Sequence, residues 1–156
     1  MIDASPANLI AQDLINAGVV SDPTVGNAWP VFVGKFRDDP DNAVMVTDTP
    51  ARDDGRLMDG TRIEHPGIQL IVRARYFPDA RAKAVAITNR LDAIVRVKVT
   101  LDSKDYKIQA VSRFGGILSL GEDEAERSEM SIKATWVPDE SMMAIQQKFR
   151  LALTLA

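Results

Sequence analysis

The sequence predicts an α+β domain, in which a mostly antiparallel sheet is covered by one principal helix, with an N-terminal helix before it and an apolar C-terminal segment after it. Three observations carry that expectation. Strand-like alternation recurs in short runs between turn residues, most clearly in Ile68–Tyr76 and Ser128–Val137. One strong helical stretch follows Pro78, with Ala80, Ala84, Ile87, Leu91 and Ile94 at 4-3-4-3 spacing. A chain of 156 residues with 46% hydrophobic content is long enough for one domain with a real core.

The elements follow in order. Ser5 suits an N-cap, Pro6 the first helical position and Gly18 the close; Ile10, Leu14 and Ala17 make one apolar face. A loop with Pro23, Gly26 and Asn27 leads to a short strand, Trp29–Gly34. The turn cluster Asp38–Asn42 separates it from a second strand, Ala43–Asp48. Residues from Thr49 to Thr61 are mostly polar and read as an exposed loop. After a Pro66-Gly67 turn comes the best strand. Ile68, Leu70, Val72, Ala74 and Tyr76 share its core face, and Gln69, Ile71, Arg73 and Arg75 share a basic outer one.

The principal helix is expected from Pro78 to about Val95. Val97–Leu101 and Tyr106–Arg113 then form a hairpin through Asp102–Asp105, and Phe114-Gly115-Gly116 breaks or bulges the run. Ile117–Leu120 precedes an acidic loop, Gly121–Glu126. In the final strand Met130, Ile132, Ala134 and Trp136 point inward and Ser131, Lys133 and Thr135 outward. Residues 1–138 form the expected domain and 139–156 a C-terminal extension. Met142, Ile145 and Phe149 in that extension suit a helix, while Phe149, Leu151, Leu153 and Leu155 alternate as a strand would.

Composition removes most chemistry. There is no cysteine and a single histidine, His65, so thiolate metal sites, cysteine nucleophiles and His-rich centres are excluded. Walker, G-x-G-x-x-G and G-x-S-x-G motifs do not occur. Asp39, Asp41 and Asn42 superficially suggest a calcium loop, but Val44 and Pro50 stand where glycine and glutamate belong. No catalytic residue, metal site or cofactor is expected. No apolar run approaches the length of a membrane span, and the N-terminus lacks the pattern of a signal peptide; the chain reads as soluble and made inside the cell.

The net charge of −3 conceals segregation. Residues 1–61 hold 4 basic and 10 acidic side chains, residues 62–113 hold 11 and 5, and residues 114–140 hold 2 and 7. This reads either as a mixed solvated surface or as complementary faces that meet between protomers. Arg73, Arg75 and Lys133 are the outward strand cations expected at an oligomer or tube interface. Glu122, Asp123, Glu124 and Glu126 are the acidic loop expected at a lumen or a stacked ring. A single-strand-binding sheet would also place aromatics on the basic face, whereas Tyr76 and Trp136 fall on inward registers. A carboxylate-metal nuclease using Asp53, Asp54 or Glu122 is the enzymatic alternative.

From about Ala7 to Val137 the chain resembles the tail terminator (minor capsid protein) family of long-tailed bacteriophages. The resemblance lies in the order and spacing of Phe32-Val33-Gly34, Pro40–Val44, Val46–Thr49, Pro66–Leu70 with Val72-Arg73 and Tyr76, the helix with Ile87 and Leu91, and Arg127–Ile132. It implies a homohexameric ring on the end of the tail tube, with the tail tube protein below, a stopper or connector protein of the head neck above, and genomic DNA passing through without specific binding. The place implied is the tail–neck junction of the virion. Another head–tail connector, whether a head-completion or a stopper protein, is the nearest alternative. The extension after Pro138 departs from the family pattern in being longer and more apolar.

Overall fold

The computed structural model describes residues 5–138 other than 26, 27, 39, 57, 59, 61 and 114; for 51–56, 62–64 and 135–138 it describes the backbone alone. The elements are α1 (Pro6–Asn16), β1 (Val31–Val33), β2 (Ala43–Arg56), β3 (Arg62–Ala74), α2 (Phe77–Asp92), β4 (Val95–Leu101), β5 (Lys104–Arg113), β6 (Leu118–Glu122) and β7 (Ser128–Pro138). The architecture is α+β. One sheet runs β1-β2-β3-β7-β5-β4, with β6 on β7 beside β5; among the strands described, β1–β2 is parallel and the other pairs are antiparallel. No helix among the described residues is long and apolar enough to cross a membrane. The extension expected from residue 139 onward lies outside the described residues.

Both helices join one core. Leu9, Ile10 and Leu14 of α1 meet Val44, Val46, Leu70 and Val72 of the sheet, and Ala84, Ile87 and Leu91 of α2 belong to the same cluster. Small residues at Ala80 and Ala84 let α2 lie close to the strands beneath it. Asp13 of α1 is buried at 1% exposure and accepts two hydrogen bonds from Arg90 of α2, at 2.7 and 3.1 Å. A planar guanidinium matches a carboxylate in this paired way, so the two helices are held in one relative setting. Ser5 occupies the N-cap position, but its side chain does not cap. Asp48 of β2 does so, accepting from Ala7 N at 2.8 Å and from Ser5 Oγ at 2.7 Å.

Several expectations need correction. The strand expected from Trp29 shortens to Val31–Val33, because Trp29 and Gly34 on either side adopt left-handed backbone at φ 61° and 83°. The loop expected over Thr49–Thr61 is largely paired: β2 continues to Arg56 and β3 begins at Arg62. Pro50 and Ala51 together oppose Pro66, because Thr49 pairs Gly67 and Arg52 pairs His65. That two-against-one arrangement is a β-bulge, the strand setting in which proline is tolerated. Pro66-Gly67 therefore lies inside a strand and is not a turn. Gly67 is required there, since a Cβ on it would strike Thr49 Oγ1 and crowd the Pro50 carbonyl.

The principal helix ends earlier than expected, at Asp92, and Val95 already belongs to β4. Asp102 and Ser103 both have positive φ and join Leu101 to Lys104 as a two-residue hairpin turn. β6 is an additional strand. Arg113 of β5 pairs Ala134 and Leu118 of β6 pairs Ser131, on the same edge of β7. β5 and β6 thus follow one another along that edge. Tyr76, expected inside, is 61% exposed, because the chain has left the sheet at Ala74 to enter α2.

Candidate functional site

The outward register of β3 leads to the first functional candidates. Arg73 is expected to point outward as one of the cations at an oligomer or tube interface. It is instead 3% exposed, and its guanidinium donates to the carbonyls of Arg37 (2.6 Å), Pro40 (2.8 Å) and Asp41 (3.2 Å). It also lies over the Phe36 ring, 4.4 Å from the centroid. The β1–β2 loop folds down over the strand and brings three carbonyls that need donors, and a guanidinium carries enough of them to serve all three. Burial, with repulsion from Arg127, lowers its affinity for a proton, while Asp123, Glu129 and Asp41 oppose that effect.

Arg127 completes the arrangement from the start of β7. Its Nε donates to Asp123 Oδ2 at 2.8 Å and its Nη1 to the Asp38 carbonyl at 2.7 Å, and the same nitrogen lies 3.5 Å from Asp41 Oδ1. Asp123 also accepts from the backbone N–H groups of Ala125 and Arg127. Burial alone would raise its pKa. The Arg127 hydrogen bonds and charge, with the Ala125 N–H, outweigh burial and hold the carboxyl below its usual range. Glu129, paired with Arg73 across β3 and β7, is raised by burial first and by Asp123 second. The two arginines therefore clasp the β1–β2 loop and the β6–β7 turn to the same end of the sheet.

The acidic loop is consequently a tight turn. Asp123 N donates to the Arg127 carbonyl and Glu126 N to the Asp123 carbonyl, with Glu126 at φ 62°. Asp123 is turned inward, while Glu122, Glu124 and Glu126 stay exposed. Among the described residues no group of three or more His, Asp or Glu side chains is placed to hold a metal ion. Arg75 is exposed, 5.9 Å from the Tyr76 ring centroid, and sits at the clasped end. Lys133 is exposed opposite Gln69, four residues along β3 from Arg73, or about 13 Å. The three cations expected together thus separate: one buried, two exposed and apart. Trp136, Asp53 and Asp54 lie outside the described side chains.

The opposite end of the sheet carries the β2–β3 hairpin and the β4–β5 hairpin. From Arg62 to Pro66, β3 ladders with β2 alone among the described residues, so these strands extend past the central sheet as a two-stranded ribbon. Arg96, Lys98, Lys104 and Lys107 are exposed on β4 and β5, with Lys98 3.1 Å from Asp105. β5 starts near Pro138 and β6 ends at Ser128, which puts the basic hairpin and the acidic turn at opposite ends of β7. β4 pairs β5 only from Lys104 to Ala110, leaving the same edge open along β6, where Leu118 and Leu120 are 61% and 45% exposed.

Arg127 and the two exposed leucines escaped the sequence reading. The spacing of Asp123 and Arg127 was a usable signal for the first, as was Leu-Ser-Leu before a glycine for the second. A model of the family described as bacteriophage tail terminator protein matches residues 13–137. A chain from the virion of a native gene transfer agent (GTA) particle superposes with a TM-score of 0.52, covering 86% of this chain and 96% of that one. The two are 15% identical, so the likeness is one of fold. No similar sequence was found among curated proteins.

Proposed function

The chain belongs to the bacteriophage tail terminator family, and from that we propose that it closes the end of a tail tube as a homohexameric ring and joins the tail to the neck of the head. It is a structural protein of a phage-type virion, built to assemble with other tail and virion proteins. The family match over residues 13–137 is the observation that carries the reading. Opposite charge at opposite ends of β7 supports it, because head-to-tail contacts around a ring join two different surfaces of one protomer.

In this reading the domain ends near residue 138, the extension from 139 contacts a partner, and the protein works without catalysis or cofactor. Glu122, Glu124 and Glu126 face the lumen or an adjoining ring, where carboxylates keep passing DNA from adhering. Arg75 and Lys133 serve the contact with a neighbouring protomer or with the tube protein; Arg73, whose donors are engaged within the chain, holds the fold of that end. The ring sits at the tail–neck junction, after synthesis in the bacterial cytoplasm. Assembly in cells lacking the protein tests the proposal. Tubes should overrun their normal length and remain unjoined to filled heads in electron micrographs, and added protein should restore both. Joined tails of normal length in its absence would overturn the reading. A six-subunit species in native mass measurements is the matching expectation for the purified protein.

A further inference from the structure

We propose that the open edge of β6 is a docking site for the C-terminal segment of a second copy of this chain, which adds to it as an eighth strand. The edge is a backbone feature first. β6 ladders with β7 on one side, and among the described residues its other side has no strand partner, because β4 stops covering that edge at Ala110. Unpaired strand edges take up further strands unless something blunts them. β6 carries no lysine and no proline; it is bulged at Leu120, between the Ser119 and Gly121 pairings, and charged at Glu122, yet it exposes both Leu118 and Leu120. Beyond them stand the exposed carboxylates of Glu122, Glu124 and Glu126.

The occupant is argued from sequence and from where the chain leaves the sheet. Phe149, Leu151, Leu153 and Leu155 alternate with other residues at strand period, and Lys148 and Arg150 precede the leucines. An apolar strand entered through two cations complements an apolar edge that ends in three carboxylates. β7 departs at Pro138 beside Ile108, the end of the strand remote from the Ser128–Ser131 stretch that pairs with β6. A chain's own extension would have to double back across β5 and lie parallel to β6. An extension from a neighbour can arrive antiparallel, the more stable pairing. The exchange would link each protomer to the next independently of whether a tube is capped.

Because the chain has no cysteine, the contact can be read by disulfide trapping on the purified full-length protein. L120C protein is mixed with L153C or L155C protein and oxidised, with V85C, on the exposed face of α2, as the control partner. The expected result is a mixed dimer in about tenfold excess over the control, as the raised local concentration of a docked strand requires. E122K/E124K in the L120C chain should reduce trapping, and K148E/R150E in the partner should restore it. Three results would overturn the proposal: no excess over V85C, a cross-link that closes only within a chain carrying both cysteines, or trapping indifferent to the charge changes. None of these bears on tube capping, which the assembly experiment tests separately.

Discussion

The two ends of the sheet are held by different forces. At one end a loop and a turn are pinned by Arg73 and Arg127 through charged hydrogen bonds to carbonyls and to Asp123. At the other end the β2–β3 ribbon extends past the central strands, held by backbone pairing and shaped by two bulges. Side-chain clasping fixes a surface in one shape, because each guanidinium has several partners to lose at once. A ribbon paired on one side keeps its ladder while its direction is set by bulges. The clasped end is therefore fixed by side-chain donors, and the ribbon end by its backbone ladder.

The largest effect should come from opening the clasp. Arg73→Ala strips donors from three carbonyls and leaves a void over Phe36, and should cost about 3 kcal/mol in urea unfolding. Arg73→Lys should recover less than half of that, because one ammonium does not span three carbonyls. Equal stability of R73A and the parent would remove the contrast between the ends. Arg127→Ala should cost about 2 kcal/mol, with its effect less than additive with R73A because both hold the β1–β2 loop.

At the base of the ribbon, where β3 enters the central sheet, Gly67→Ala should cost about 2 kcal/mol through collision with Thr49 and the Pro50 carbonyl, with no change in salt dependence. Salt sensitivity equal to that of the clasp variants would show that the two ends are not held differently. The smallest effect is on pH dependence and belongs to the clasp alone. Glu129 has a raised folded pKa, so stability should rise as pH falls from that value toward the ordinary carboxylate range. Asp123 has a lowered one, so stability should then be lost as pH falls further through it. E129Q should flatten the first limb and D123N the second in denaturation series across pH; G67A should leave both unchanged.

What was legible in the sequence follows the same division. The alternation of Ile68, Leu70 and Val72 marked a strand because one face is buried, and the 4-3-4-3 spacing of α2 marked its core face for the same reason. Thr49–Thr61 read as a loop because ladder hydrogen bonds join backbone groups, which composition does not report. The acidic loop was visible as a cluster, but that Asp123 turns inward while three glutamates stay out depends on Arg127 folding back over the turn.

Composition and local periodicity by themselves determined the fold class, the inward faces of α2, β3 and β7, and the absence of cysteine chemistry, since each depends on residue type and spacing along the chain. The fate of Arg73, the cap that Asp48 supplies to α1, the buried Asp13–Arg90 pair and the open edge of β6 were decided by the tertiary structure alone. Each joins residues distant in sequence. A charged side chain in an outward register carries no local mark of whether a remote loop will fold down to cover it.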